Sequence, residues 1–380
     1  MNSTDLTALA RVVEHDIKNR LSAVKDPELG RSITDLGMVT DVKAVARDAF
    51  VSGKPAFDVT VCLELTAEGC PLTQTIIDNI DKATVSYPAA AIVPHIDVSS
   101  MSKEKLASLV SRLKAERNAN PFNREDSKTR VFAVASGKGG VGKSSVTANL
   151  AAAFASMGKK TAVIDADIYG FSIPGLFGVS QQPSNVGGML IPIEKWGVRL
   201  MSIGMFAGAD KPILWRGPRL ARSLEQFLSD VWWDEPDILL LDMAPGTGDM
   251  TLAVAQALPN AQMLIVTTPQ LSAWQIAARA GLASLQLPVS VRGVIENMSA
   301  TKINGQRTSL FGEGGGQKVS DVLTEKLGVS VPLLGQIPFD PSVREIGETG
   351  RPAVLNEQGS LSDSPLAQTF INIAQSLLED

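Results

Sequence analysis

Cysteine is nearly absent: the chain of 380 residues holds only Cys62 and Cys70. Two thiols are too few for a disulfide framework and fit a reducing compartment. Histidine is equally scarce, and His15 and His95 stand far apart with no ligand spacing, so both read as structural. No run approaches the roughly 20 apolar residues of a membrane span. The opening stretch, MNSTDLTALARVVEHDIKNR, scatters charges where a signal peptide needs an apolar core. Basic residues are not in excess either, since 35 Lys and Arg against 40 Asp and Glu leave a net charge of -5. That balance argues against gripping nucleic acid or an anionic membrane as the main task. What is present, at 44% apolar content, suffices for one large domain plus a smaller one. The expectation is a soluble cytoplasmic protein with neither nucleic acid nor membrane as its partner.

Residues 6–24 carry Leu6, Leu9, Val12, Val13, Ile17, Leu21 and Val24 at mostly three- and four-residue spacing, which predicts an amphipathic helix. In DPELGRSITDLGMVTDV, Pro27 and Gly30 break it before a strand around residues 38–45. In FDVTVCLELT, Phe57, Val59, Val61, Leu63 and Leu65 alternate with polar neighbours. This is the pattern of a half-buried strand, with Cys62 on its polar side. A helix near 72–84 and a strand near 91–98 complete a small α+β domain over residues 1–100. The charge-dense residues 101–129 read as a short helix followed by a mobile linker. From 130 to 380 the apolar runs TAVI, ILLL and MLIV alternate with helical patterns. This predicts an α/β domain whose mostly parallel sheet is flanked by helices.

The second domain opens on SGKGGVGKSS, residues 136–145, between an apolar strand and a helical stretch. Gly137, Lys138, Gly139, Gly140, Val141, Gly142, Lys143 and Ser144 satisfy the phosphate-loop pattern G-x4-G-K-[ST] in its strand–loop–helix setting. Backbone N–H groups of such a loop point at phosphate oxygens, and the helix adds its positive N-terminal end. Lys143 is expected along the β- and γ-phosphates of ATP, Ser144 on Mg²⁺ through its hydroxyl, and Ser145 at the α-phosphate. Asp165 and Asp242 each end an apolar strand, which places their carboxylates at the same crevice. Asp242 is the partner expected for Mg²⁺ and its waters, with Asp165 helping. Asp167, two residues farther along its loop, is the candidate for orienting the attacking water.

The early Lys138 resembles the signature lysine of the MinD, ParA and nitrogenase iron protein superfamily. That resemblance implies an ATP-hydrolysing homodimer in which Lys138 reaches the partner's nucleotide. Within the superfamily, DADIYGFSIP, LWRGP, DMAPGTGD, VTTPQ, GVIENMS, FGEGGG, LLGQIPFD and ETGRPAV are similar to landmarks of the Mrp/ApbC group of iron-sulfur carrier ATPases. The front domain, with DPELGRSITDLGMV and LTAEGCPL, resembles the small iron-sulfur assembly domain often fused before them. The resemblance implies that Asn297 reads the adenine, that the segment from Pro338 to Asp340 lines the base, and that iron-sulfur apoproteins and assembly factors are the partners. Cys70 matches the cysteine of the assembly domain and is its candidate cluster ligand. One departure stands out: the Cys-x-x-Cys that most relatives carry after ENMS is missing, since residues 296–316 read ENMSATKINGQRTSLFGEGGG.

Four thiolates usually hold an iron-sulfur cluster, and two cysteines per chain supply that number only in a dimer. Two other readings stay open. One is a nucleotide-switched adaptor that never ligates a cluster. The other is a MinD- or ParA-like positioning ATPase, which PLAQTFINIAQSLLED serves poorly because it lacks basic residues.

Overall fold

The computed structural model describes residues 3–51, 53–66, 72–116, 120–167, 170–206, 217–246, 248–303 and 306–379. The chain divides into two compact units, one of residues 1–117 with 185–191 and one of 118–184 with 192–380.

In the first unit, α1 (Ser3–Leu21) buries Val13, Ile17 and Leu21 completely. It packs against a three-stranded sheet of β1 (Val39–Val51), β2 (Lys54–Leu65) and β3 (Ala91–Ser100). β1 and β2 are antiparallel, whereas β2 and β3 run parallel. A parallel pair needs a crossover, which α2 (Thr73–Val85) supplies. Phe57, Val59, Val61 and Leu63 of β2 are fully buried while Cys62 is half-buried on the opposite face, as the two-residue period demands. The helix α3 (Lys103–Ala115), capped by Ser102, also belongs to this unit. Lys105 Nζ reaches Glu64 Oε2 at 2.6 Å, and Arg112 donates to the Asp35 carbonyl at 2.7 Å.

Residues 120–129, expected as part of a mobile linker, are instead docked on the second unit. Phe122 is 4% exposed, its ring 6.5 Å from that of Trp233, and the Asn120 and Asn123 side-chain amides both donate to the Ala257 carbonyl. One aromatic in an otherwise polar stretch is enough to anchor it, because a buried Phe recovers about 1.5–3 kcal/mol.

The second unit begins with β4 (Arg130–Ser136), α4 (Lys143–Ser156), β5 (Thr161–Asp165) and α5 (Ile173–Leu176). The chain then forms a hairpin of β6 (Ser184–Val186) and β7 (Met189–Ile191), of which residues 185–191 group with the first unit. It returns through β8 (Ile193–Lys195), β9 (Val198–Ser202), α6 (Gly217–Ser229), β10 (Ile238–Asp242) and α7 (Asp249–Ala257). Then follow β11 (Gln262–Thr267), α8 (Leu271–Leu282), β12 (Ser290–Ser299), the ribbon β13 (Thr301–Ile303) and β14 (Gln306–Thr308), and α9 (Gly315–Leu327). β15 (Leu333–Pro338), α10 (Pro341–Glu348) and α11 (Pro365–Leu378) complete it.

Among the described residues eight strands form the main sheet in the order β15-β12-β11-β4-β10-β5-β9-β8, parallel except for the last pair. Strand order reverses at β4: β10, β5 and β9 lie to one side, β11, β12 and β15 to the other. A crevice at the C-terminal ends of the strands therefore opens beside β4, where a parallel sheet binds its ligand. The helix α4 is buried nearly all round, with the Phe154 ring stacked on that of Phe132 at 6.2 Å. The amphipathic α11 spends its apolar face, Leu366, Phe370, Ile373 and Leu377 included, on this core, packed on α4 and β15. No helix among the described residues is long and apolar enough to cross a membrane.

Candidate nucleotide site

The loop between β4 and α4 is shaped by two of its glycines. Gly142 caps α4 at φ +81°, a left-handed conformation that side chains resist, and a Cβ there would lie 2.2 Å from Asn297 Nδ2. At Gly137 a Cβ would meet the Ile276 backbone at 2.4 Å, so α8 is seated directly against the loop. A cavity of about 230 Å³ follows, lined by Ser136, residues 138–145, Asp167, Gly170 and Pro245. Its lining includes the loop expected to hold the phosphates. A second cavity of about 1360 Å³ shares Gly142 and Ser145 with it and is walled by Asn297, Pro338, Phe339 and Asp340, where the base and ribose are expected.

Beneath the phosphate cavity lies a closed polar network. Lys143 Nζ sits 2.7 Å from Asp242 Oδ1, Ser144 Oγ donates to Asp242 Oδ2 at 2.6 Å, and Thr147 Oγ1 donates to Asp242 Oδ1 at 2.8 Å. Asp242 is entirely buried, as is its neighbour in register on β5, Asp165. Asp165 accepts from the backbone N–H groups of Asp167, Ser172 and Ile173 and from Ser202 Oγ, all at 3.1–3.2 Å. Burial first, and then the nearby charge of Asp242, push its carboxyl up to about 7. Asp167, 9% exposed, accepts from the Gly170 N–H at 3.0 Å and faces the phosphate cavity.

The two loop lysines part company. Lys143 points inward and is buried, whereas the half-buried Lys138 donates to Ser272 Oγ at the start of α8, at 3.2 Å. Asn297 donates its amide to the Val141 carbonyl at 2.9 Å, tying the end of β12 to the phosphate loop, and Asp340 caps α10 by accepting from the Ser342 N–H. Both wall the larger cavity, each with one polar atom already engaged. A hydroxyl and a carboxylate converging beside a phosphate cavity form the oxygen donor set that Mg²⁺ takes, so Ser144 and Asp242 fit that ion. Asp165, turned toward the α5 backbone, fits an outer role.

Thr147, Ser202 and Ser272 fall outside the motifs, and Glu296, within GVIENMS, has no role from the sequence. Glu296 is 1% exposed and accepts from the Gly316 N–H and the Gln336 amide at 2.6 and 2.7 Å. Only Thr147 carried a signal, four residues after Lys143 and hence on the same helix face.

In the first unit, Cys62 pairs across the strands with Asp41 and Asp97. Among the described residues no group of three or more His, Cys, Asp or Glu is placed to hold a metal ion. Cys70, and Leu214 to Arg216 of the LWRGP motif, lie outside the described residues.

A strand–loop–helix phosphate cradle with an aspartate at the end of each of two neighbouring parallel strands defines a P-loop NTPase. The model of the NUBPL iron-transfer P-loop NTPases matches residues 127–378, and that of the iron-sulfur cluster assembly proteins matches residues 14–93. The iron-sulfur cluster carrier protein of Mycobacterium leprae is 43% identical over 380 residues, covering 99% of this chain and 95% of the relative. That of Bacillus subtilis is 38% identical over 328 residues, covering 86% and 88%. Among solved structures, the nucleotide-binding protein of Archaeoglobus fulgidus in complex with ADP aligns with a TM-score of 0.50 at 36% identity, covering 59% of this chain and 87% of that one. The chain belongs to the NUBPL iron-transfer P-loop NTPase family.

Proposed function

We propose that this protein is a cytoplasmic ATPase that works as a homodimer, binding iron-sulfur clusters and passing them to apoproteins. The observation that carries the reading is the Lys143–Ser144–Asp242 network, set in a chain similar along 99% of its length to a cluster carrier. ATP lays its phosphates in the loop, and Lys143 leaves Asp242 for the β- and γ-oxygens. Ser144 and Asp242 would hold Mg²⁺, directly or through water, and the ion would supply charge neutralisation on the phosphoryl oxygens. Asp167 orients the attacking water. Lys138 leaves Ser272 and reaches the nucleotide of the second copy. Exposed apolar side chains support such a dimer: Leu271 at 61% and Ile276 at 38% lie on α8 with Ser272, and Phe171, 45% exposed, lines the larger cavity.

The cargo rests on the cysteines. A cluster shared between two chains has four thiolates available, two from each, with Cys70 the first candidate and Cys62 the second. The missing Cys-x-x-Cys favours a second reading, in which the ATPase dimer organises assembly partners and ligates no cluster. Anaerobic reconstitution with iron and sulfide separates the two. On the carrier reading the wild type retains both through gel filtration and activates an apo-ferredoxin, while Cys70→Ser retains little of either. A wild type that hydrolyses ATP but retains no iron would establish the adaptor.

A further inference from the structure

We propose that Thr147 is a positioning residue that fixes Asp242 for the magnesium ion accompanying ATP, an inference that rests on the ATPase reading above. Three polar side chains are buried on α4: Lys143, Thr147 and Asn149, the last donating to the Ser145 carbonyl and accepting from the Val354 N–H. Around Thr147, Val146, Ala148, Leu150 and the run 151–154 are apolar and buried, and Thr147 itself is 0% exposed. Threonine is a poorer helix former than alanine, and a hydroxyl in such a core costs stability unless it is bonded.

The hydroxyl has one proton and two acceptors in reach, the Lys143 carbonyl of its own helix at 3.0 Å and Asp242 Oδ1 at 2.8 Å. The carboxylate is both closer and charged, and a charge-assisted bond is roughly twice as strong as a neutral one. The proton therefore goes to Asp242.

Asp242 draws on three donors in this structure: Lys143, Ser144 and Thr147. ATP with its magnesium competes for the first two, since Lys143 turns to the phosphates and the Ser144 oxygen turns to the metal. Thr147 has no second task. Locked in the buried face of α4, it keeps hold of Oδ1 whether or not Lys143 stays, and so sets the direction in which Oδ2 is offered beside Ser144. Without it the carboxylate loses its fixed donor at the moment the lysine leaves.

The test compares wild type with Thr147→Val, which keeps the shape and removes the hydroxyl, and Thr147→Ser, which restores it. Binding of a fluorescent ATP analogue is titrated against free Mg²⁺, with melting temperatures measured alongside. The expected result is unchanged nucleotide affinity in EDTA for all three, and a magnesium midpoint about tenfold higher for Thr147→Val, equivalent to ~1.4 kcal/mol. Thr147→Ser returns the midpoint to wild type. Should the valine variant fail to fold, Thr147→Ala is read in the same way. A folded variant with a lowered melting temperature and an unmoved magnesium midpoint overturns the assignment, as does a serine variant that fails to restore it. Wild type that binds nucleotide with no response to magnesium overturns the ATPase reading itself.

Discussion

Asp58 in the first unit and Asp165 in the second each have basic side chains for company, yet their carboxyls are driven in opposite directions. Asp58 lies on the open face of its sheet, 2.7 Å from Arg47 Nε and 2.9 Å from His95 Nε2, and hydrogen bonds from these two hold it below the ordinary carboxylate range. Asp165 is sealed at the end of β5, where burial and the charge of Asp242 raise it to about 7. Lys143 and several backbone N–H groups only partly compensate. The open sheet neutralises its charges locally. The crevice keeps two buried carboxylates beside one ammonium, an arrangement short of positive charge that a divalent cation would complete.

Removing that ammonium breaks the contrast most severely. Lys143→Ala takes away the contact proposed to the phosphates and leaves Asp242 and Asp165 without their cation. Loss of one partner from a buried pair costs about 3–5 kcal/mol of folding stability, and with the phosphate contact gone nucleotide binding is expected to fall by about 100-fold, the scale of one hydrogen bond between charged groups. Equilibrium titration with a fluorescent nucleotide reads this directly, and affinity within a few-fold of wild type would refute the network's role. Lys138→Ala touches only the half-buried lysine of the same loop. Nucleotide affinity should hold while turnover drops by about 10³-fold, as for a catalytic cation supplied by a second copy. Equal turnover in wild type and variant would contradict the cross-dimer role.

The strand alternation of FDVTVCLELT and the phosphate loop were legible in the sequence because each is a local pattern: a two-residue period, or a run of glycines ending in Lys143 and Ser144. The network was not, because it joins residues about a hundred positions apart. Nothing in ILLLD announces that Asp242 takes its bonds from Lys143, Ser144 and Thr147, for the parallel register of β10 between β4 and β5 creates those contacts. Asp165 shows the same limit. Its place at a strand end was readable, whereas its bonds from the backbone of Asp167, Ser172 and Ile173 and from Ser202 join residues up to 37 positions apart. The stretch after α3 misled for a different reason: its charged composition outweighed the single Phe122 that docks it.

The smallest effect is the one that tests the contrast itself. Because the folded-state value of Asp165 lies above the unfolded value near 3.8, the folded protein binds the extra proton between about pH 4 and pH 7. Unfolding free energy from this group therefore falls as pH rises through that window, and the loss is complete above it. Asp58 has the opposite sign: its depressed value contributes stability that is fully present above the unfolded value and lost only at lower pH. Above about pH 5 it adds no slope. Melting of the nucleotide-free protein over this range should accordingly decline with pH more steeply in wild type than in Asp165→Asn. On the proposed function, Mg²⁺ bound with nucleotide would draw the proton off Asp165, since a nearby cation favours the ionised form. Calorimetric titrations near pH 6.5 in buffers of different ionisation enthalpy should then report proton release in wild type and less of it in the asparagine variant. Parallel melting curves and equal proton release in the two proteins would mean that the buried aspartate is already ionised, and that the two units carry their charge alike.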